Sequence, residues 1–178
     1  MPTYGYQGKE PRLGKRVFIA PGAVVTGDIE LGDDVSIWFH SVARGDVHYI
    51  RIGAETNIQD GCVLHVSHLT HPLHIGRRVV IGHAAVLHGC TVEDGALIGI
   101  GARVLDGAVI EAGAQVAAGA LVAPGKRVPA GHLVMGVPAK VVRPLTAEEQ
   151  AAIVANCERY LQVKEEYLRR LYGASGSG

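Results

Sequence analysis

The 178-residue sequence has few aromatic side chains, no net charge and no CxxC motif. Phe, Trp and Tyr make up 5% of the residues, so the core must be built from small aliphatic side chains, which excludes a globin-like or doubly wound core. The 17 basic and 17 acidic residues cancel, and this removes the electrostatic basis for binding nucleic acid or an acidic membrane. Cys62, Cys90 and Cys157 are odd in number, which indicates structural thiols in a reducing compartment.

Long apolar runs are also absent. No run approaches the roughly 20 residues that cross a bilayer, so we expect no transmembrane helix. The segment 1–16 is polar, contains prolines and glycines, and lacks the apolar centre of a signal peptide, which predicts a cytoplasmic protein. The length favours a single domain.

What the sequence has instead is 24 glycines and a six-residue aliphatic repeat. Neither an α-helix nor a simple alternating strand repeats every six residues, whereas a short strand followed by a tight corner does. Three such sides close a triangular coil, and coils stacked about 4.8 Å apart form a parallel β-helix. We therefore predict this mainly-β fold over a flat glycine-rich sheet or sandwich. The uninterrupted run consists of Val92, Ile98, Val104, Ile110, Val116, Val122 and Val128, and shorter runs precede it.

The repeat divides the chain into four predicted segments. A helix should follow it, because Thr146 and Glu149 have the spacing of an N-terminal capping box. An apolar stripe along this helix, which includes Tyr160 and Leu171 and is flanked by Val154, must pack on the outside of the coils of its own chain or a neighbour's. The segments are an irregular N-terminus at 1–16, the β-helix with its exit at 17–145, the helix at 146–172 and a flexible tail at 173–178.

Six of the nine histidines lie within residues 65–88. His65 follows the inward Leu64 and His88 follows the inward Leu87, so both point outward from the same place in their hexads. A loop that contains Pro72 accounts for the irregular step between these hexads, which leaves the two histidines one coil apart. They should therefore stack about 5 Å apart at their backbones.

His83 follows Ile81 on a different side of the coil, so it cannot readily meet the other two histidines within one chain. A neighbouring chain related by a threefold axis could supply it. Three imidazoles and an open fourth position are typical of catalytic zinc. At this point an equal alternative is that all three are hydrogen-bonded surface histidines.

Four short motifs resemble those of the γ-class carbonic anhydrases, and the similarity extends from about Val17 to the C-terminal helix. The resemblance implies a left-handed β-helix and a homotrimer, with His65, His83 and His88 binding the metal across the subunit interface. It also places Arg44, Asp46 and Asp60 at that interface, although solvated corner charges remain an alternative for them. The motifs are ARGD at 43–46, NIQDGCVLH at 57–65, IGH at 81–83 and LHGC at 87–90.

The same resemblance implies the chemistry. Zinc on three neutral imidazoles lowers the pKa of bound water from 15.7 to about 7, and the resulting hydroxide hydrates carbon dioxide to bicarbonate. Fe²⁺ or Co²⁺ would also suit this ligand set. By resemblance Gln59 orients the hydroxide, Asn57 supports Gln59, and Tyr160 lines the pocket, unless Tyr160 serves only in the apolar stripe.

The sequence departs from the family pattern at the residues expected to accept the proton. The family prototype has an acidic residue after the interface aspartate and an acidic loop near the metal, whereas this chain has Val47 and a loop at 66–74 without carboxylates. His68, His71 or His74 could carry the proton, since an imidazole titrates near 6.5, and we assign His68. The alternative is that these are ordinary loop histidines, in which case hydration is slow.

Two other functions fit the same repeat. Residues 136–143, GVPAKVVR, also resemble the end of the repeat in hexapeptide acyltransferases that use acetyl-coenzyme A, which generally need one histidine base. The chain could also be a non-enzymatic metal-binding or assembly subunit on the same scaffold.

Overall fold

A computed structural model describes residues 3–173, and these form a parallel β-helix of about seven coils with one C-terminal helix. All strand pairs are parallel except the last, β19 with β20. The strands are β1 Thr3–Tyr4, β2 Arg12–Leu13, β3 Phe18–Ile19, β4 Val24–Leu31, β5 Ser36–Ile37, β6 Val42–Ile52, β7 Asn57–Ile58, β8 Val63–His65, β9 Leu73–Ile75, β10 Val80–Ile81, β11 Val86–His88, β12 Thr91–Val92, β13 Leu97–Ile98, β14 Arg103–Val104, β15 Val109–Ile110, β16 Gln115–Val116, β17 Leu121–Val122, β18 Arg127–Val128, β19 His132–Met135 and β20 Lys140–Pro144. The helix is α1, Ala147–Tyr172.

The coils have three sides. Side one stacks β3, β5, β7, β10, β13, β16 and β19 in that order. Side two stacks β8, β11, β14 and β17 on the first part of β6, and side three stacks β9, β12, β15 and β18 on the last part of β6. Because β4 and β6 run on from one side to the next, sides two and three belong to one continuous sheet.

The core confirms the six-residue repeat and adds to it. All seven aliphatic residues of the predicted run are buried. A second set, which the sequence analysis did not count, lies two residues earlier in each hexad and is also buried: Ala96, Ala102, Ala108, Ala114 and Ala120. A methyl group is what fits there, because these side chains point inward beside a corner where two sides converge. The glycines at six-residue intervals from Gly95 to Gly131 have φ between +62° and +68°. These corners need a residue in the left-handed region of backbone conformation, which glycine adopts without steric cost.

Two predicted boundaries differ from the structure. The segment 1–16 was expected to be irregular, but β1 and β2 pair in parallel with β4, because the edge of the first complete coil offers free peptide groups to any extended segment. The repeat was expected to end near Val128, but Val134 occupies the next inward position and is 2% exposed. From there β20 folds back as the second strand of an antiparallel hairpin.

The predicted helix is confirmed at both ends. Thr146 and Glu149 form a complete capping box, and α1 packs on side one of its own chain. The apolar stripe is only partly correct: Val154 and Leu171 are 50% and 45% exposed, whereas Lys164 is buried. The tail predicted at 173–178 lies outside the described residues except for Gly173, the helix C-cap.

Among residues 3–173, no helix is both long and apolar enough to cross a membrane.

Candidate metal centre

His65 and His88 lie at the corner between sides two and three. They end β8 and β11 and are register partners on neighbouring coils, as the count of sides predicts. His65 Nδ1 is 3.1 Å from His88 Nε2, and the ring centroids are 5.0 Å apart. Two nitrogens that bind one tetrahedral Zn²⁺ at 2.0–2.1 Å lie about 3.3 Å apart, so this pair fits as two ligands from one chain.

The outer nitrogen of each ring faces a carboxylate. His65 Nε2 lies 3.1 Å from Asp46 Oδ1, and His88 Nδ1 lies 2.6 Å from Asp106 Oδ1. A carboxylate oxygen only accepts, so both outer nitrogens carry the proton. In the neutral form of both rings the inner nitrogens direct lone pairs at each other, and either a shared proton or a metal ion between them relieves the repulsion. Histidine ligands of metals usually have such a carboxylate on the other nitrogen.

The charges around His65 favour its ligating form. Burial lowers the pKa of His65, and the Arg44 guanidinium lowers it further, against the opposing effect of Asp46. Burial raises the pKa of Asp46, but hydrogen bonds from His65 and Arg44 outweigh burial and lower the pKa overall. A neutral imidazole beside an ionised carboxylate is the state that metal binding requires.

Arg44 and Asp46, both predicted at a subunit interface, form an ion pair with each other within the chain. The Arg44 side chain is 47% exposed and that of Asp46 is 16% exposed. Arg44 therefore sits at the open rim of the histidine pair, where a neighbouring molecule can reach it.

His83 lies at a different corner, between sides one and two. Its Nδ1 is 2.9 Å from Asp60 Oδ2, and both side chains are more than 40% exposed. This ring, like those of His65 and His88, therefore has a carboxylate beside one of its nitrogens. Residues 3–173 of a single chain contain no group of three or more His, Cys, Asp or Glu side chains placed to hold a metal. One chain therefore brings two of the predicted ligands together and leaves the third at a separate corner.

Gln59 and Asn57 lie on side one, just before the corner that carries Asp60. Both are buried, and Gln59 Nε2 donates a hydrogen bond of 3.2 Å to Asn57 Oδ1. Asn57 Nδ2 is buried without a hydrogen-bond partner among residues 3–173. The contact predicted between these two amides is present, and it fixes the Gln59 side chain on the His83 side of the molecule.

Tyr160 lies in the apolar stripe of α1 and beside a cavity near the His83 corner. Its ring packs edge-on against Trp38 at 5.4 Å, within the aromatic cluster under α1. It also lines a cavity of about 340 Å³ together with Asp60. Burial, and then the charge of Asp60, raise the pKa of Tyr160. Tyr160 therefore belongs to the apolar stripe and borders the His83 corner.

The three loop histidines have different surroundings. His68 lines a cavity of about 400 Å³ that also contains Asp46 and Tyr49. His74 lies on side three, with Nε2 3.2 Å from the Tyr49 hydroxyl. His71 packs closely on Gly89: a Cβ atom added to Gly89 would lie 2.7 Å from the Cβ atom of His71. Of the three, His68 is the one that shares a cavity with the carboxylate partner of His65.

Sequence reasoning missed Asp106. This residue lies 18 positions after His88, which is one coil, and a count of three hexads from each histidine would have found it. Burial raises the pKa of Asp106, but hydrogen bonds from Ser67 and His88 outweigh burial and lower the pKa overall.

No family model matches the chain. It is 56% identical over 153 residues to a protein named probable carbonic anhydrase from Methanocaldococcus jannaschii, covering 86% of this chain and 96% of that protein. It is 47% identical over 169 residues to protein YrdA from Escherichia coli, covering 92% of each. It is 46% identical over 162 residues to gamma carbonic anhydrase 2, mitochondrial, from Arabidopsis thaliana, covering 88% of this chain and 58% of that protein.

Two solved structures share the fold. The product of the Bacillus cereus BC4754 gene, named as a provisional acetyltransferase, has a TM-score of 0.90 and 42% identity, covering 93% of this chain and 95% of that one. A hexapeptide transferase family protein from Anaplasma phagocytophilum has a TM-score of 0.89 and 40% identity, covering 94% and 98%. These similarities confirm the predicted left-handed parallel β-helix of hexapeptide repeats.

Proposed function

Because the chain belongs to the γ-class carbonic anhydrase family, we propose that it hydrates carbon dioxide reversibly to bicarbonate at metal sites between the subunits of a homotrimer. The observation that carries the proposal is the pair of inner nitrogens of His65 and His88, 3.1 Å apart with a carboxylate behind each ring. Two ring nitrogens at this separation can bind one metal ion in place of a shared proton, and the exposed corner beside them leaves room for a third ligand from outside the chain.

The proposed ligands are His65 and His88 of one subunit and His83 of a neighbouring copy. Zn²⁺ is the first choice for three imidazoles, and Fe²⁺ or Co²⁺ would also suit them. When bound, such a metal supplies the Lewis acidity that makes water nucleophilic near neutral pH. Asp60 would hold the His83 ring as Asp46 holds that of His65.

Other residues of the His83 corner would enter the site with it. Gln59, fixed by its hydrogen bond to Asn57, would orient the attacking water through its amide. Tyr160 would close the pocket on the carbon dioxide side, since it borders the cavity that contains Asp60. In this arrangement one subunit supplies most of the metal binding and its neighbour supplies the residues that position substrate.

The surface between the two histidine corners supports assembly across side two. Val42, Val63 and Val86 stand in register at outward positions of successive coils, and Val63 is 42% exposed. A column of aliphatic side chains gains stability when a second chain covers it. Arg44 and Asp46 border this column and would lie in the resulting interface.

His68 would receive the proton that leaves the site. It shares a cavity with Asp46, which contacts His65, so it lies on a path from the metal ligands to solvent. In a series of buffers, His68→Ala should slow hydration at low buffer concentration, and added imidazole should restore the rate. An unchanged rate at low buffer would remove His68 from this role.

The first experiment measures metal content and mass of protein purified without added metal. We expect about one metal ion per chain and a mass three times that of the 18.7 kDa chain. Replacing His65, His83 or His88 by Ala should abolish metal binding and hydration. His132→Ala is the matched control, because His132 lies in β19, away from the proposed ligands, and its Nδ1 bonds the nearby carbonyl oxygen of Ala130. A metal-free monomer would contradict the proposal.

A mixing experiment tests whether the site is shared. Trimers reassembled from His83→Ala and His65→Ala chains contain interfaces in which an intact His65 and His88 pair meets an intact His83. Hydration should therefore reappear in the mixture although each parent is inactive. A site built within one chain could not be restored in this way.

The acyltransferase alternative is supported by two solved structures, one named as an acetyltransferase at 42% identity and one named as a hexapeptide transferase family protein at 40% identity. Release of coenzyme A from acetyl-coenzyme A in the presence of amine or hydroxyl acceptors would favour it, provided that removal of metal leaves the rate unchanged. A trimer that retains metal but neither hydrates carbon dioxide nor transfers acetyl groups would indicate a metal-binding assembly subunit.

A further inference from the structure

Asp106 connects two features of the candidate metal centre. It follows β14 on the coil beyond His88, and its side chain is 33% exposed. Oδ1 accepts a hydrogen bond of 2.6 Å from His88 Nδ1, and Oδ2 accepts one of 2.7 Å from the Ser67 hydroxyl. Both oxygens of one carboxylate are therefore engaged, one by a proposed ligand and the other by the loop beside it.

The contact with His88 decides which ring nitrogen is free. Because the carboxylate accepts from Nδ1, the proton of a neutral ring stays there and Nε2 keeps its lone pair. That lone pair is directed at His65 Nδ1, 3.1 Å away. Without Asp106 the ring could take the other tautomer or turn about its side-chain bonds, and neither change preserves the ligand pair.

The contact with Ser67 seats the loop that carries His68. Ser67 also pairs with His71 through its main chain, with the Ser67 amide 3.0 Å from the His71 carbonyl oxygen, which closes the loop into a compact turn. His71 rests on Gly89, directly after His88. The position of His68 relative to the histidine pair therefore depends on Asp106 through Ser67.

We propose that Asp106 is a positioning residue, whose one carboxylate oxygen fixes the tautomer and orientation of His88 and whose other oxygen holds the loop at 66–72 against the metal centre. The predicted effect of Asp106 on metal binding rests on the proposed function. Its structural part, the proton on His88 Nδ1, stands without any metal.

The tautomer test uses the metal-free, full-length protein. Nitrogen-15 NMR of the imidazole rings should show His88 protonated at Nδ1 in the wild type and shifted towards the Nε2-protonated tautomer in Asp106→Ala. Asp94→Ala is the matched control, because Asp94 is another corner aspartate but accepts from the Arg77 amide at 2.8 Å. Wild-type His88 protonated only at Nε2 would overturn the inference, whatever the protein binds.

The metal test measures Co²⁺ affinity by competition with a chelator, together with the visible spectrum of bound Co²⁺. Asp106→Ala should weaken Co²⁺ binding about 10- to 100-fold and alter the spectrum. Asp106→Asn, which keeps an acceptor oxygen for His88, should recover most of the affinity. Wild-type affinity and spectrum in Asp106→Ala would overturn the inference. Absence of Co²⁺ binding in the wild type, with His88 still protonated at Nδ1, would instead reject the proposed function.

Ser67→Ala separates the two halves of the proposal. It removes the loop contact but leaves the bond to His88, so Co²⁺ affinity should stay within about twofold of wild type. Amide hydrogen exchange over 66–72 should accelerate in Ser67→Ala and in Asp106→Ala, but not in Asp94→Ala. Unchanged exchange in both variants would show that Asp106 does not hold the loop.

Discussion

Nζ of Lys164 lies 2.6 Å from Oδ1 of Asp34, although 130 residues separate them along the chain. The lysine side chain is 1% exposed, and its ammonium group also bonds the main-chain oxygen of Arg16 at 3.2 Å. Asp34 is shared with the Arg16 guanidinium, which, with Lys164, lowers its pKa against the effect of burial. This ion pair attaches the second half of α1 to an early coil.

Asp34→Asn should destabilise the fold by up to about 3 kcal/mol, because the buried Lys164 ammonium group then keeps only one carboxylate partner, the half-exposed Glu165. Urea unfolding at fixed protein concentration measures the loss. The double variant Asp34→Asn, Lys164→Met should recover part of it, since it removes the buried charge as well. Equal stability of the wild type and the single variant would contradict a role for the pair.

Glu149 should make stability depend on acid pH. Its carboxylate accepts two hydrogen bonds from Arg143 and one from the Thr146 amide, and these lower its pKa to about 2. Because glutamate in an unfolded chain titrates near 4.3, the contribution is complete above about pH 4.3 and is lost as pH falls towards 2. The difference in Tm between wild type and Glu149→Gln should therefore shrink between pH 5 and pH 2.5. A constant difference would argue against this assignment.

The inward side chains should tolerate little change. Ile98 is fully buried in the central coils, so Ile98→Ala should cost about 2–5 kcal/mol and Ile98→Val about 1 kcal/mol. Val109 is an outward, half-buried residue on side three, so Val109→Ala should cost less than Ile98→Ala. Chemical denaturation with matched protein concentrations checks the order, and a larger loss at Val109 would contradict the inward assignment.

Gly89 and Gly95 provide a matched pair for the metal centre. Both have positive φ, +53° and +67°, but a Cβ on Gly89 would lie 2.4 Å from Asp106 Oδ1, whereas one on Gly95 meets nothing within 4 Å. Gly95→Ala should cost about 1–2 kcal/mol through backbone strain alone. Gly89→Ala should cost more and should also reduce metal content, as measured by elemental analysis. Equal effects on metal content would show that the space around Asp106 is not important.

The repeat could be predicted because each inward aliphatic side chain meets nearly the same environment in every coil. The same regularity predicted the stacking of His65 on His88, since it required only a count of sides around the loop. The capping box at Thr146 was equally predictable, because its bonds lie within four residues.

What could not be predicted depends on contacts between distant coils. A lysine on a helix is normally exposed, and nothing near Lys164 in the sequence indicates that Asp34 will receive it. Asp106, by contrast, lies only one coil after His88, so a count of three hexads would have predicted its contact. The strands β1 and β2 have no hexad signal, because they form by pairing with the edge of β4.

The hairpin at the C-terminal end has a consequence for how these molecules behave at high concentration. A stack of parallel coils ends in a row of free peptide groups that can template another chain, as in amyloid fibrils. Here β20 runs back along β19 and presents Lys140, Arg143 and Pro144, all exposed. Lysine and proline are what natural sheet edges use against such growth. The β19–β20 hairpin thus covers the end of side one and opposes end-to-end polymerisation there.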